Sequence, residues 1–278
     1  MEIWLFSLLV FAAATGAGFL GSLTGLGGGV VVTPVLALLF HVDLRYAMGA
    51  SLVSVIATSS GAASAYVREG YSNVRLGLFL EIATTMGALG GAHLATRLPT
   101  SVLSMILGGV LLYSAYTSLR PHGDHVETSG TDPLAEGLRL NGEYVENGRV
   151  LHYVVRRVKA GFAVMFGAGV VSGLLGIGSG ALKVIAMDQV MRIPFKVSTT
   201  TSNFMIGVTA AASAGVYLSR GFIVPDIAMP VMLGVLLGSL VGARRMSGAR
   251  VQQLRVLFAV VVGALAIEMI YGGLTRRL

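Results

Sequence analysis

The sequence predicts an all-α integral membrane protein made of two repeated halves. Each half holds about four to five helices with interruptions at glycine-rich clusters, and a small β-hairpin sits in the loop between them. Three observations carry that expectation. Of the 278 residues 54% are hydrophobic and 12% charged, with 38 glycines; so apolar a composition does not suit a soluble domain. Apolar runs of about 18 or more residues, long enough to cross a bilayer, fall near 3–24, 46–67, 76–96, 101–119, 160–175, 197–218, 224–243 and 252–273. Two glycine clusters recur at matching places, Gly25-Leu26-Gly27-Gly28-Gly29 and Gly176-Ile177-Gly178-Ser179-Gly180.

The run at 3–24 begins Met1-Glu2-Ile3-Trp4. With no basic segment ahead of it, it reads as a retained span rather than a cleaved signal. The first cluster follows, and then an apolar piece at 30–40 that is too short to span as a straight helix. Ser51 and Ser54 open the run at 46–67, and Glu81 and His93 lie in the run at 76–96. Residues 1–119 form the first membrane repeat. The loop at 120–159 carries six basic and six acidic residues. Asn141-Gly142 and Asn147-Gly148 are tight-turn signals, and Val150 to Val155 has strand character. A hairpin outside the bilayer is therefore expected. Arg156, Arg157 and Lys159 place this loop on the cytoplasmic side. Residues 160–278 form the second repeat. Its cluster is followed by an apolar piece at 181–191 containing Lys183 and Asp188. Ser198-Thr199-Thr200-Thr201-Ser202-Asn203 opens the next run, and Glu268 lies in the last.

Setting residue i against residue i+151 aligns Gly25, Gly27 and Gly29 with Gly176, Gly178 and Gly180. The same register aligns Arg45 with Lys196, Ser51 with Ser202, Tyr66 with Tyr217, Gly70 with Gly221, Gly87 with Gly238 and Gly91 with Gly242. So many matches in one gapless register indicate duplication. The turn at 248–251 is flanked by Arg244, Arg245, Arg250 and Arg255, whereas its counterpart at 97–100 has Arg97 beside it. A basic bias on opposite turns of equivalent segments is what inverted halves produce.

A backbone broken in hydrocarbon persists only where protein or a water-filled cavity covers it. The helices restarting at Val30 and Ala181 offer free N–H groups and positive dipole ends, a combination that binds anions. The candidate substrate-binding residues are Gly25, Gly27, Gly28, Gly29, Ser51, Gly176, Gly178, Ser179, Gly180, Lys183, Thr201, Ser202 and Asn203. The competing reading of the glycines is helix packing. Lys183 could neutralise an anion or pair with Asp188. Glu81, Asp188 and Glu268 are the proton-coupling candidates, with ion-pair and helix-end roles as alternatives. Arg45 and Lys196 would flank the membrane surface and attract anions to the mouth.

No His/Asp/Glu group has metal-ligand spacing, no Ser–His–Asp set lies in the spans and no phosphate loop is present. The chain does not read as an enzyme and calls for no metal or cofactor. Without cysteine there is no disulfide or thiolate chemistry. The net charge of +7 comes from basic residues at helix ends, where it sets topology, so nucleic acid is not an expected partner.

The pattern Gly21-x-x-x-Gly25-Leu26-Gly27-Gly28-Gly29, Pro34 and Gly49-Ala50-Ser51 resembles the first-half signature of the sulfite exporter TauE/SafE family. Gly173-Leu174-Leu175-Gly176-Ile177-Gly178-Ser179-Gly180 with Thr200-Thr201-Ser202 resembles the second. The resemblance covers nearly all of the chain outside 120–159. It implies a transporter of sulfur-containing anions, including sulfite and organosulfonates, in the bacterial inner membrane. Three departures stand out: Ser179 where the family usually has glycine, Ile185 where the repeat has Pro34, and the charge of Lys183. The residues themselves specify only a small anion. An anion channel, an uptake permease and a scaffold acting through the 120–159 loop stay open, as does homo-oligomerisation.

Overall fold

The computed structural model describes residues 3–24, 28–68, 72–119, 132–146, 149–245 and 251–275. The first half comprises α1 (Ile3–Thr24), α2 (Gly29–Leu39), α3 (Leu44–Arg68), α4 (Val74–Ala95) and α5 (Thr100–Leu119). The connecting loop holds α6 (Pro133–Gly137), β1 (Gly142–Glu146) and β2 (Arg149–Tyr153). The second half comprises α7 (Val158–Leu175), α8 (Gly180–Ile185), which continues as a π-turn (Ala186–Val190), α9 (Phe195–Ser219), α10 (Pro225–Arg245) and α11 (Val251–Leu274). Local chemistry sets several boundaries. Asn73 caps α4 by accepting from the Leu76 amide at 3.0 Å, Pro194 precedes α9, and Pro225 opens α10. Helix α7 ends at Gly176, whose φ of +66° suits a residue without a Cβ.

Among the described residues five helical stretches are long and apolar enough to cross a membrane: Trp4–Gly21, Val74–Ala95, Thr100–Leu119, Val158–Leu175 and Val256–Leu274. Helices α3 and α9 are 25 residues each, about 37 Å at 1.5 Å per residue. They carry rows of serine and threonine and pack against each other.

The duplication is visible in the packing. A Cβ on Gly18 would meet the backbone of Val235, and one on Gly169 would meet that of Thr84. Gly238 lies against Thr15 and Phe19, and Gly87 against Phe166 and Val170. Each pair maps onto the other by a shift of 151, forward for the residue in the first half and back for the residue in the second. Thus α1 packs on α10 and α7 packs on α4, so each half gives its first helix to the fourth helix of the other. Small residues at these seams let the backbones touch. Phe11 faces Gly234 and Thr15 faces Gly238, so α1 and α10 run parallel. Helices α3 and α9 run antiparallel: the Tyr217 hydroxyl lies 3.5 Å from Met48 Sδ, and Gly207 meets Ser59. Helix α2 doubles back along α1. A Cβ on Gly28 would lie 3.3 Å from Gly18 Cα, and the rings of Phe6 and Phe40 are 5.9 Å apart.

The hairpin is antiparallel, with Gly142 opposite Tyr153 and Glu146 opposite Arg149. It is docked rather than free. Leu140, Tyr144 and Tyr153 share an apolar cluster with Leu76, Leu80, Met165 and Met191. Asn73 ties the parts together. Its amide side chain donates to Leu140 O and Tyr153 Oη, both at 2.8 Å, and its backbone N–H donates to Thr201 Oγ1 at 3.0 Å. Asn73→Ala removes a helix cap and leaves two polar groups without their partner, a loss of about 2 kcal/mol or more. A lowered melting temperature in detergent checks it. Burial pushes the Tyr153 phenol up to about 12, with the Asn73 hydrogen bond acting in the opposite direction. The neutral phenol is therefore the folded form. Its contribution is complete below pH 10 and is lost as pH rises towards 12. Alkaline melting curves of wild type and Tyr153→Phe should diverge in that window.

Candidate functional site

The two glycine clusters meet where α3 and α9 cross. A Cβ on Gly29 would touch the Val55 side chain, lie 2.8 Å from Ser51 Oγ and 3.8 Å from the Ile177 carbonyl. Gly178 has φ of +73°, and its Cβ would lie 2.9 Å from Ile206 Cγ2 and 3.1 Å from Val55 Cγ1. Val55 and Ile206 are repeat equivalents, so the second cluster threads between matching side chains of the two crossing helices. Gly176 abuts Met48 on α3, and Gly28 abuts Val235 on α10. Gly25 and Gly27 lie outside the described residues.

The hydroxyls repeat the symmetry. Ser51 donates to Gly29 O at 3.0 Å and Ser202 donates to Gly180 O at 3.2 Å. Both residue numbers differ by 151. In this conformation these serines brace the ends of the clusters. Thr201 lies on a different side of α9 and accepts from Asn73, so it holds the α3–α4 connection. Asn203 is half-buried, and its side chain makes no hydrogen bond among the described residues.

Ser179 and Gly28 occupy equivalent places with opposite handedness. Ser179 has φ of 45° and ψ of 32°, whereas Gly28 has φ of −63° and ψ of −22°. The serine takes the left-handed conformation that the glycine does not use. Its Oγ is buried and has no hydrogen-bond partner among the described residues.

Lys183, fully buried on α8, finds Glu81 on α4. Its Nζ lies 3.7 Å from Glu81 Oε2 and donates to Thr209 Oγ1 on α9. Thr209 in turn donates to Glu81 Oε1 at 2.6 Å, and Thr85 donates to the same oxygen at 3.1 Å. The pairing partner weighed from sequence was Asp188, which is buried on the π-turn. Glu268 is exposed on α11, and His93 is exposed beside Arg97. Arg45 donates to Leu98 O at 2.8 Å and lies over the Phe222 ring.

Sequence reasoning missed Thr209 and Thr85. A signal for Thr209 was present: Ser202, Thr209 and Ser213 recur at helical spacing, and Thr209 is the repeat equivalent of Thr58. A cleft of about 330 Å³ lies elsewhere, lined by Ser72, Asn73, Arg75, Arg139, Asn141 and Tyr153 at the start of α4.

Two interrupted helices converge around the buried Ser179 hydroxyl, and an ammonium paired with Glu81 stands on the short helix that follows the second cluster. The family model described as Sulfite exporter TauE/SafE matches residues 10–269. The chain belongs to this family. A probable membrane transporter protein, YdhB of Bacillus subtilis (strain 168), is 28% identical over 238 residues, covering 85% of this chain and 87% of that protein. A second from the same organism, YunE, is 24% identical, covering 93% and 95%. The probable membrane transporter protein ORF9 of Sinorhizobium sp is 26% identical, covering 94% and 91%. No solved structure matches the chain. This TauE/SafE protein is an integral membrane transporter.

Proposed function

We propose that this TauE/SafE protein is a secondary transporter that exports sulfite or a small organosulfonate across the bacterial inner membrane. The observation that carries the reading is the convergence of the two glycine clusters at the α3–α9 crossing, with Ile177 O within 3.8 Å of the Gly29 Cβ position. The anion sits there near the midplane. The first amides of α2, the Ser179 hydroxyl and the Lys183 ammonium are its donors. Ser51, Ser202 and Asn203 complete the surround once the clusters part.

The halves are read as inverted about an axis in the membrane plane. The antiparallel course of α3 against its repeat equivalent α9 supports this. So does the parallel course of α1 and α10. Loading requires the crossing helices to separate on one side at a time, because Gly29, Ile177, Gly178 and Ser179 are buried. The loop at 120–159 faces the cytoplasm.

Counterflow in proteoliposomes tests the reading. A panel of sulfite, sulfate, thiosulfate, sulfoacetate and methanesulfonate should show saturable exchange of sulfite or of one or both sulfonates. Single-channel currents carried by these anions, or exchange of none of them, would overturn it.

A further inference from the structure

Lys183 and Glu81 are charged at positions whose repeat equivalents are apolar. Subtracting 151 from Lys183 gives Val32 and adding 151 to Glu81 gives Met232; Thr209 corresponds to Thr58. The repeat therefore places Val32 and Met232 at the positions that Lys183 and Glu81 occupy in the other copy. Val32 is buried on α2. The equivalent positions of the repeat are thus filled by apolar residues. A buried ion pair is often no more stabilising than such apolar residues, and it carries a desolvation cost. Ionisable residues inside membrane spans mark ion and proton paths.

The hydrogen bonding of the pair is lopsided. Glu81 Oε1 accepts from Thr209 and Thr85. Oε2 is buried, accepts no hydrogen bond among the described residues, and is the oxygen nearest the ammonium at 3.7 Å. It is the position free to take a proton. Lys183 lies in the first turn after Gly180, on the short helix that leaves the second cluster.

We propose that Glu81 and Lys183 form the coupling site, at which one proton and one negative charge bind together. This rests on the anion-transporter reading above. In the empty site the Glu81 carboxylate balances the Lys183 ammonium. When an anion arrives at Lys183, a proton arrives at Glu81 Oε2, and the site holds a neutral acid, an ammonium and an anion. Both states are net neutral, as an apolar interior demands. An anion without its proton leaves one uncompensated negative charge, and a proton without its anion leaves one uncompensated positive charge. Proton and anion therefore favour each other's binding by the same factor. Transport of a monovalent anion is then electroneutral, and export proceeds where the outward anion gradient exceeds the inward proton gradient, independently of the membrane potential.

Other titratable groups stand on the elements packed around the pair. They are Arg75 and His93 on α4, Lys159 on α7, Lys196 and Tyr217 on α9 and Asp188 on the π-turn. Asp188 is the buried carboxylate among them and serves as the comparison.

The experiment uses full-length protein in proteoliposomes with radiolabelled methanesulfonate and sulfite, and an entrapped pH dye. Wild type should take up methanesulfonate roughly tenfold faster under an acid-outside gradient than at equal pH, in the range typical of coupled sites. The lumen should acidify with the flux, and an imposed potential should have no effect. In Glu81→Gln the ratio of the two rates should fall to one. A second readout does not depend on turnover: methanesulfonate should raise the melting temperature of detergent-solubilised wild type more at acid than at alkaline pH. Glu81→Gln should lose that pH dependence, and Lys183→Met should lose the shift itself. The double variant Glu81→Met with Lys183→Val should melt near wild type and bind no anion. Net uptake of methanesulfonate by wild type without acidification of the lumen would overturn this inference and leave the transporter reading standing. Transport of neither methanesulfonate nor sulfite would overturn this inference, and transport of no anion in the panel above would overturn both. Loss of the proton response in Asp188→Asn, with Glu81→Gln still responding, would place the proton elsewhere and overturn the assignment.

Discussion

Leucine at Gly178 is expected to abolish transport while the protein still inserts and assembles. The position has φ of +73°, and a residue with a Cβ loses about 1–2 kcal/mol in that conformation. Crowding adds to the strain. The Cβ alone would stand 2.9 Å from Ile206 Cγ2 and 3.1 Å from Val55 Cγ1. The remaining leucine atoms would wedge α3 away from α9 and fill the space between the clusters. A fall in exchange of about 100-fold or more corresponds to roughly 3 kcal/mol, the scale of such overpacking. Gly221 separates the two causes. Its φ is +75°, but a Cβ there meets nothing within 4 Å. Gly221→Leu should therefore carry the backbone strain and keep exchange. Normal exchange by Gly178→Leu would remove the second cluster from the site.

Leucine at Gly87 is expected to stop the two halves from assembling. A Cβ there would strike the Phe166 carbonyl and lie 2.9 Å from the Val170 amide nitrogen. These are backbone atoms, so no rotamer change relieves the clash, and α4 must move off α7. The loss should be about 3 kcal/mol or more, at the upper end for overpacking. Gly90 lies on the same helix, three residues on, with nothing within 4 Å of its Cβ position. Gly90→Leu should leave the monodisperse fraction and melting temperature in detergent close to wild type. Equal behaviour of the two variants would show that the α4–α7 seam is not close-packed.

Much of the fold was legible because hydropathy is a property of one helix at a time. The runs at 3–24 and 160–175 correspond to Ile3–Thr24 and Val158–Leu175. The 151-residue register was legible too, and Ser51 and Ser202 make equivalent bonds because of it. Which helices touch was not legible. The matched glycines at 87 and 238 read as packing residues in general, but nothing local says that their partners lie in the other half. The pairing of Glu81 with Lys183 was hidden for a related reason. Their repeat equivalents are Met232 and Val32, so the register itself gives no hint of charge meeting charge. Thr201 and Ser202 are neighbours in sequence, yet about 100° apart around α9. One therefore serves the α3–α4 connection and the other the cluster. The left-handed turn at Ser179 defied expectation because a serine adopts it where its glycine counterpart does not.

The exchange of first helices between the halves has a consequence for biogenesis. Helix α1 ends at Thr24 and its partner α10 begins at Pro225. Some 200 residues must be synthesised in between, which at about 5–20 residues per second takes roughly 10–40 s. During that interval the glycine face of α1, with Gly18 on it, lacks its α10 partner and has only α2, lipid or the membrane insertion machinery against it. Helix α4 waits more briefly for α7. The amino-terminal half is thus not a module that matures and then receives a second copy of itself. It is a scaffold held open until the ribosome delivers its complement. Newly made chains truncated before Pro225 should accordingly be prime targets for membrane quality-control proteases.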